Sequence, residues 1–346
     1  MYKKFYNLQQ EPFSLTPDPE FVYMTSQHRE ALSGLIYSAF TRPGLTVLVG
    51  EVGTGKTTLL YTLLGLLEKR RFATGMCTNP TLSKEEFYDF VLAQLGVECS
   101  SSLKSRQLIA LQESLSRNRA DGRPSILIVD EAQRLSPELL EEIRLLMNLE
   151  TPNHKLLEII MAGQPELMDT FRRPEFRQLK QRISYYCKLE PLSLDELTEY
   201  VNHRLGHAGL PNQTLFSKPV FQAIFEYTKG IPRLVNTLCD NALQAGFAVQ
   251  SPRITVSIVE EAAKDLDLLQ EPPQADRSSG KQAVSNPFLS RSPQKHSPSN
   301  GSSALPPGQS ANKVPPMRIP LESYEARQKS FGFLARLVGR WDNRGE

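Results

Sequence analysis

The sequence predicts an α/β protein in which a parallel sheet carries helices on both faces and is followed by a small helical domain. Three observations carry that expectation. Between Leu45 and Leu189, short β-rich apolar runs alternate with stretches of helical length, the rhythm of βαβ units. After Pro191 the apolar runs stop and only helical patterns follow. A glycine-rich turn, Gly50–Thr57, lies between the first apolar run and the first helical stretch, where open α/β sheets receive their ligands.

The predicted strands are Leu45–Val49, Phe72–Cys77, Ile126–Asp130, Leu156–Ala162 and Ile183–Leu189. Runs of this kind belong to strands buried on both faces. The intervening helices are expected at Lys56–Arg70, Lys84–Leu95, Ser105–Arg119 and Pro137–Met147, with Pro137 suited to a first helical turn. Four more follow at Asp195–Ala208, Lys218–Thr228, Pro232–Val249 and Ser257–Leu269. The expected organisation is an α/β domain with a Pro-rich leader over 1–190 and a helical domain over 191–270. The segment 271–320 holds 10 of the 25 prolines, mixed with Ser, Gln and Asn, which leaves too little apolar surface to offset the entropy of ordering and reads as a disordered linker. Helical periodicity returns in 321–346, where Phe333, Leu334, Leu337, Val338 and Trp341 share one face beside Lys329, Arg336 and Arg340. Such a basic amphipathic helix suits an anionic membrane surface or a partner's groove.

At 346 residues and 40% hydrophobic content, the chain can bury ordinary cores. Its formal net charge is +2, and the basic excess falls in the tail. The near-neutral body has no global footprint for nucleic acid, which leaves only a local basic face as a route to DNA. Cys77, Cys99, Cys187 and Cys239 are scattered, with no CxxC pair, so neither a disulfide framework nor a zinc site is indicated. No stretch reaches the roughly 18–20 apolar residues of a membrane span, and the first residues lack an apolar signal core. A cytoplasmic location is expected, with peripheral attachment at the inner membrane if 321–346 binds lipid.

Gly50-Glu51-Val52-Gly53-Thr54-Gly55-Lys56-Thr57 matches G-x-x-x-x-G-K-[ST], with a predicted strand before it and a helix after it, the context that confirms a phosphate-binding loop. The glycines allow a tight turn whose N–H groups point inward at phosphate oxygens, helped by the positive end of the helix. Lys56 is placed to reach the β- and γ-phosphates of ATP, and the Thr57 hydroxyl to ligate Mg²⁺. Thr58 packs or caps. The run Ile126-Leu-Ile-Val-Asp130-Glu131 ends in two acids, and carboxylates at a parallel strand's C-terminal end sit beside such a loop. Asp130 is a second Mg²⁺ ligand, direct or through water, and Glu131 can reach past the γ-phosphate to orient and polarise the attacking water.

Through these motifs the sequence resembles the AAA+ ATPases and, more narrowly, the general secretion pathway protein A-like family. The resemblance spans about 1–269. It rests on the leader Tyr2-x-x-Phe5…Pro12-Phe13-x-Leu15-Thr16-Pro17-Asp18-Pro19…Tyr23, His28-Arg-Glu-Ala-Leu32, Gly50–Thr57, Val129-Asp-Glu-Ala-Gln133, Gly163-Gln-Pro-Glu-Leu167, Gln181-Arg-Ile183 and Gly230-Ile-Pro-Arg233. It implies a P-loop NTPase sheet, a helical lid, and a ring-type homo-oligomer with nucleotide between neighbouring subunits. It also implies that Gln164 is the sensor 1 residue, that Arg233 is the sensor 2 arginine of the lid, and that Arg182 or its competitor Arg177 reaches the γ-phosphate held by a neighbour. The leader would wrap near the base, with Tyr23 and His28 either packing there or touching base or ribose. Two loads fit the family: an envelope assembly in secretion, pilus formation or polysaccharide export, or, as in transposition ATPases, ATP-gated binding to DNA.

Overall fold

Strands rich in branched apolar residues with no polar alternation must be covered on both faces, and the computed structural model shows how. It describes residues 1–14, 23–41, 44–210 and 215–268. The predicted linker 271–320, the predicted terminal helix 321–346 and leader residues 15–22 lie outside the described residues. Five parallel strands, β1 (Leu45–Gly50), β2 (Ala73–Cys77), β3 (Ser125–Val129), β6 (Leu157–Gly163) and β7 (Ile183–Leu189), form a sheet of order β2-β3-β6-β1-β7. A two-stranded hairpin, β4 (Glu150–Thr151) with β5 (His154–Lys155), precedes β6. Because β6 separates β1 from β3, the loop after β1 and the acids after β3 end up on either side of the C-terminal end of β6.

Side chains alternate across a strand, and the two faces bury different helices. Val47, Val49, Leu127, Val129, Ile159 and Met161 pack with residues of α4 (Lys84–Gln94), α5 (Lys104–Ala120), α6 (Pro137–Leu146) and α7 (Glu166–Arg172). Leu48, Ile126, Ile128, Ile160 and Ala162 pack on α2 (Ser26–Thr41) and α3 (Lys56–Glu68). Helix α2 was not among the predicted helices, yet it buries Ala31, Leu32, Leu35, Ile36 and Ala39 at i, i+3/i+4 spacing. It is pinned through a buried carboxylate. Glu158 of β6 accepts from Ser38 Oγ (2.7 Å), Thr46 Oγ1 (3.1 Å) and the Gly44 N–H (2.8 Å), which compensates its burial.

The short helix α8 (Arg177–Lys180) leads into β7, and the helical region then comprises α9 (Leu194–His207), α10 (Lys218–Thr228), α11 (Pro232–Ala248) and α12 (Val256–Asp265). Ser193 starts α9 with a capping box to Glu196, satisfying two otherwise orphaned N–H groups. These helices share one core, and Tyr6, Leu8 and Phe13 belong to it. Tyr2 of α1 (Tyr2–Phe5) donates to Asp240 Oδ1 at 2.7 Å, and the Gln9 N–H to the Ala208 carbonyl at 2.8 Å. The start of the leader, grouped by chain order with the α/β domain, thus shares its core with the helical region.

Candidate nucleotide-binding site

The loop after β1 turns on two residues in the left-handed region, Gly53 (φ +83°) and Gly55 (φ +96°), a conformation that a Cβ disfavours. Gly55 is the N-cap of α3, so the orphan N–H groups of that helix face the loop's concavity. Lys56 is 5% exposed. Its Nζ donates to the carbonyls of Gly50 (2.8 Å) and Glu51 (3.0 Å). Burial pushes its pKa down, against the pull of the Glu131 and Asp130 carboxylates. Glu51 also closes the turn by accepting from the Thr54 hydroxyl at 2.9 Å. Val52 is exposed at the tip, and Thr58 is built into α3, its carbonyl accepting from Thr62 Oγ1.

Asp130 extends the pairing of β3 with β2, its N–H donating to the Cys77 carbonyl at 2.8 Å. That bond directs its buried carboxylate at α3, where Oδ2 accepts from Thr57 Oγ1 at 2.6 Å. Glu131 follows in the left-handed region (φ 51°), which turns the chain away from the strand. Its carboxylate is held by Gln133, whose Nε2 donates to Oε2 at 2.7 Å. The same amide accepts through Oε1 from the Gln164 N–H at 3.1 Å. Gln133 therefore ties the acid after β3 to the residue after β6. It belongs to Val129-Asp-Glu-Ala-Gln133, where its place two residues past the acid pair is the only signal that the sequence offers.

The lid meets the loop directly. The Arg233 N–H, in the first turn of α11, lies 3.3 Å from the Gly53 carbonyl. A cavity of about 380 Å³ opens there, lined by Gly53–Leu59, Glu131 and Arg233 together with Tyr23, His28, Tyr200, Arg204 and Asn236. His28 faces the loop itself: Nε2 is 3.1 Å from the Thr54 carbonyl, and Nδ1 is 2.7 Å from Thr25 Oγ1. Burial lowers its pKa. The Tyr23 ring packs on Tyr200 and His203. Neither Arg182 nor Arg177 lines this cavity. Arg182 donates through Nη2 to Asn148 Oδ1 at 2.6 Å, while its Nη1 is buried without a partner; Arg177 is exposed on α8.

The donor set fits a magnesium nucleotide. Thr57 and Asp130 present hard oxygens 2.6 Å apart beside a cation and a helix N-terminus. Mg²⁺ takes one or two protein oxygens and completes its shell with phosphate and water. No group of three or more His, Cys, Asp or Glu side chains suited to a metal occurs among the described residues.

The sheet order, the loop between β1 and α3, and the acid pair beyond β3 define a P-loop NTPase fold of the AAA+ type, and residues 40–171 match the family described as "AAA domain". Within that class, the chain is 39% identical over 267 residues to "General secretion pathway protein A" of Aeromonas hydrophila, covering 77% of this chain and 48% of that relative. The resemblance to the general secretion pathway protein A-like AAA+ family therefore holds, although the chain spans about half the length of the relative it matches. Among solved structures, the Cdc6p of Pyrobaculum aerophilum matches with a TM-score of 0.58 at 17% identity, over 73% of this chain and 70% of that one. Drosophila ORC bound to DNA matches with a TM-score of 0.59 at 17% identity, over 74% and 64%. At such identities these two bear on the fold alone.

Proposed function

We propose that the chain binds ATP with Mg²⁺ and hydrolyses it as a motor or switch serving an envelope-associated assembly of the secretion, pilus or polysaccharide-export kind. The observation that carries the catalytic part is the bonded series Thr57–Asp130, Glu131–Gln133 and Gln133–Gln164 beside the phosphate loop. In this reading Lys56 and the loop N–H groups bind the phosphates, and Thr57 and Asp130 hold Mg²⁺. Bound Mg²⁺ supplies neutralisation of charge on the phosphate oxygens. Glu131 orients a water and accepts its proton, with Gln164 beside it, while Arg233 ties the lid to the phosphates.

Arg182 is proposed to complete the site of a neighbouring subunit in a ring, stabilising charge that develops in transfer. Its absence from its own cavity lining agrees with action in trans, for which the guanidinium would have to leave Asn148. The envelope role is supported by the name of the secretion-pathway relative. Residues 321–346 are proposed to meet a membrane surface or a partner's groove; no helix among the described residues is long and apolar enough to cross a membrane. The DNA-binding alternative is not favoured, since the likeness to ORC concerns fold only.

Glu131→Gln tests the reaction. Loss of the acid should lower turnover by about 10²–10⁴-fold while ATP affinity stays close to wild type. Wild-type turnover per chain should also rise with protein concentration if a neighbour supplies Arg182. Unchanged turnover in Glu131→Gln would remove the water-activating role.

A further inference from the structure

The wall of the cavity formed by the helical region has a chemistry that the hydrolytic reading leaves unused. Arg204 of α9, Tyr200 one turn earlier and Asn236 of α11 all line it, and each is only 7% exposed. The Arg204 guanidinium donates to the leader carbonyls of Pro12 and Ser14 and, through Nη1, to the Tyr200 hydroxyl at 2.9 Å. Its carbon also stands 5.6 Å from the centre of the Tyr200 ring.

An arginine has donors only, so the Tyr200 oxygen is the acceptor in that contact. Its own proton points onward to Asn236 Oδ1 at 2.8 Å. Burial pushes the Tyr200 phenol up, so the hydroxyl keeps that proton. With its oxygen taken, the carboxamide has only its NH₂ group left to offer; that group has no acceptor among the described residues and is not one of the fully buried orphan atoms, so it is open to the cavity that Asn236 lines. The relay therefore sets Asn236 as a hydrogen-bond donor on the cavity wall, one helical turn beyond Arg233, which abuts Gly53. With the phosphates held at the loop, the rest of the ligand extends along the wall that Asn236 lines, and its nucleoside half offers ring nitrogens and ribose oxygens as acceptors.

We propose that Asn236 is a specificity-determining residue that donates to the nucleoside half of the bound nucleotide, with Tyr200 and Arg204 as positioning residues that orient its amide. The proposal rests on the nucleotide-binding reading of the same cavity. It also gives the leader a role. The arginine that orients the relay is the one that grips Pro12 and Ser14, so the nucleoside subsite is assembled only with the leader docked.

Calorimetric titration of the full chain with Mg-ATP and, separately, with magnesium and inorganic triphosphate tests this. Asn236→Ala should weaken ATP by about 3- to 10-fold, the worth of one hydrogen bond to a neutral group, and leave inorganic triphosphate unchanged. Tyr200→Phe keeps the ring but removes the proton; it should weaken ATP by a smaller factor, again sparing triphosphate. Melting of both variants without ligand checks that the fold is retained, and Tyr200→Phe keeps the test open if Asn236→Ala proves unstable. Unchanged ATP affinity in Asn236→Ala, or equal weakening of ATP and triphosphate, would overturn the nucleoside contact. Wild-type affinity in Tyr200→Phe would overturn the relay. A wild-type chain that binds neither ligand would instead sink the nucleotide-binding reading, and this proposal with it.

Discussion

Replacing Gly53 by alanine tests the loop and its contact with the lid together. The residue lies at φ +83°, and a non-glycine residue in the left-handed region costs about 1–2 kcal/mol. The added Cβ would stand 2.7 Å from Arg233 Cβ and 3.1 Å from Ile231 Cγ2. The Arg233 Cβ is fixed to the backbone and cannot swing away, and the Ile231 methyl sits on a stiff β-branched carbon, so either the loop or the first turn of α11 must shift. Overpacking of that kind costs about 1–3 kcal/mol, which brings the total to about 2–5 kcal/mol. For a folded region of this size, Gly53→Ala should melt roughly 5–15 °C below wild type. Mg-ATP should restore less of that loss than it adds to wild type, because the displaced groups line its cavity. Gly65→Ala is the internal control. It sits exposed within α3 with nothing within 4 Å of its added Cβ, and should gain about 0.5–1 kcal/mol. Circular-dichroism melts with and without Mg-ATP measure both. Gly53→Ala melting at or above wild type would refute the left-handed loop and its close approach to the lid.

Two further outcomes follow from the same geometry. Gln133→Ala should lower kcat by about tenfold or more with little change in KM for ATP, since a hydrogen bond to a charged group is lost from Glu131 without touching the loop; steady-state kinetics that show an unaltered kcat would remove Gln133 from the machinery. For His28, burial holds the folded pKa below the ordinary 6.5, so below pH 6.5 the unfolded chain binds more protons. Its contribution to stability is therefore complete above that pH and is lost as pH falls through 6.5 toward the folded value. Urea unfolding from pH 7.5 to 5.5 should show His28→Gln with a flatter loss of stability than wild type; parallel curves would exclude His28 as a source.

The elements most legible in the sequence are those whose signal is local. The run Ile183–Leu189 and the stretch Lys218–Thr228 have the bounds that the pattern indicated, and the other strands differ by a residue at their ends, where fraying and pairing decide the boundary. Helix α2 escaped because its apolar face is completed by α3 and by β-strand residues such as Ile160, more than a hundred positions away. The packing of Tyr6, Leu8 and Phe13 in the helical core is equally non-local.

At the site, the eight residues Gly50–Thr57 are enough to indicate a tight glycine turn with a cation at the head of a helix, and the structure forms that turn, because its geometry depends on backbone freedom within a single turn. The adjacent acids Asp130 and Glu131 were legible for the same reason. What only the tertiary structure decided is how these pieces meet. Sheet order sets Asp130 against Thr57, Gln133 bridges Glu131 to Gln164, and Arg233 abuts Gly53. His28 is turned under the loop, and Arg204 grips a leader nearly two hundred residues away. A motif records which groups a chain can offer at one turn. Hydrogen bonds between distant turns arise only when burial forces separate elements together, and no spacing in the sequence carries that distance.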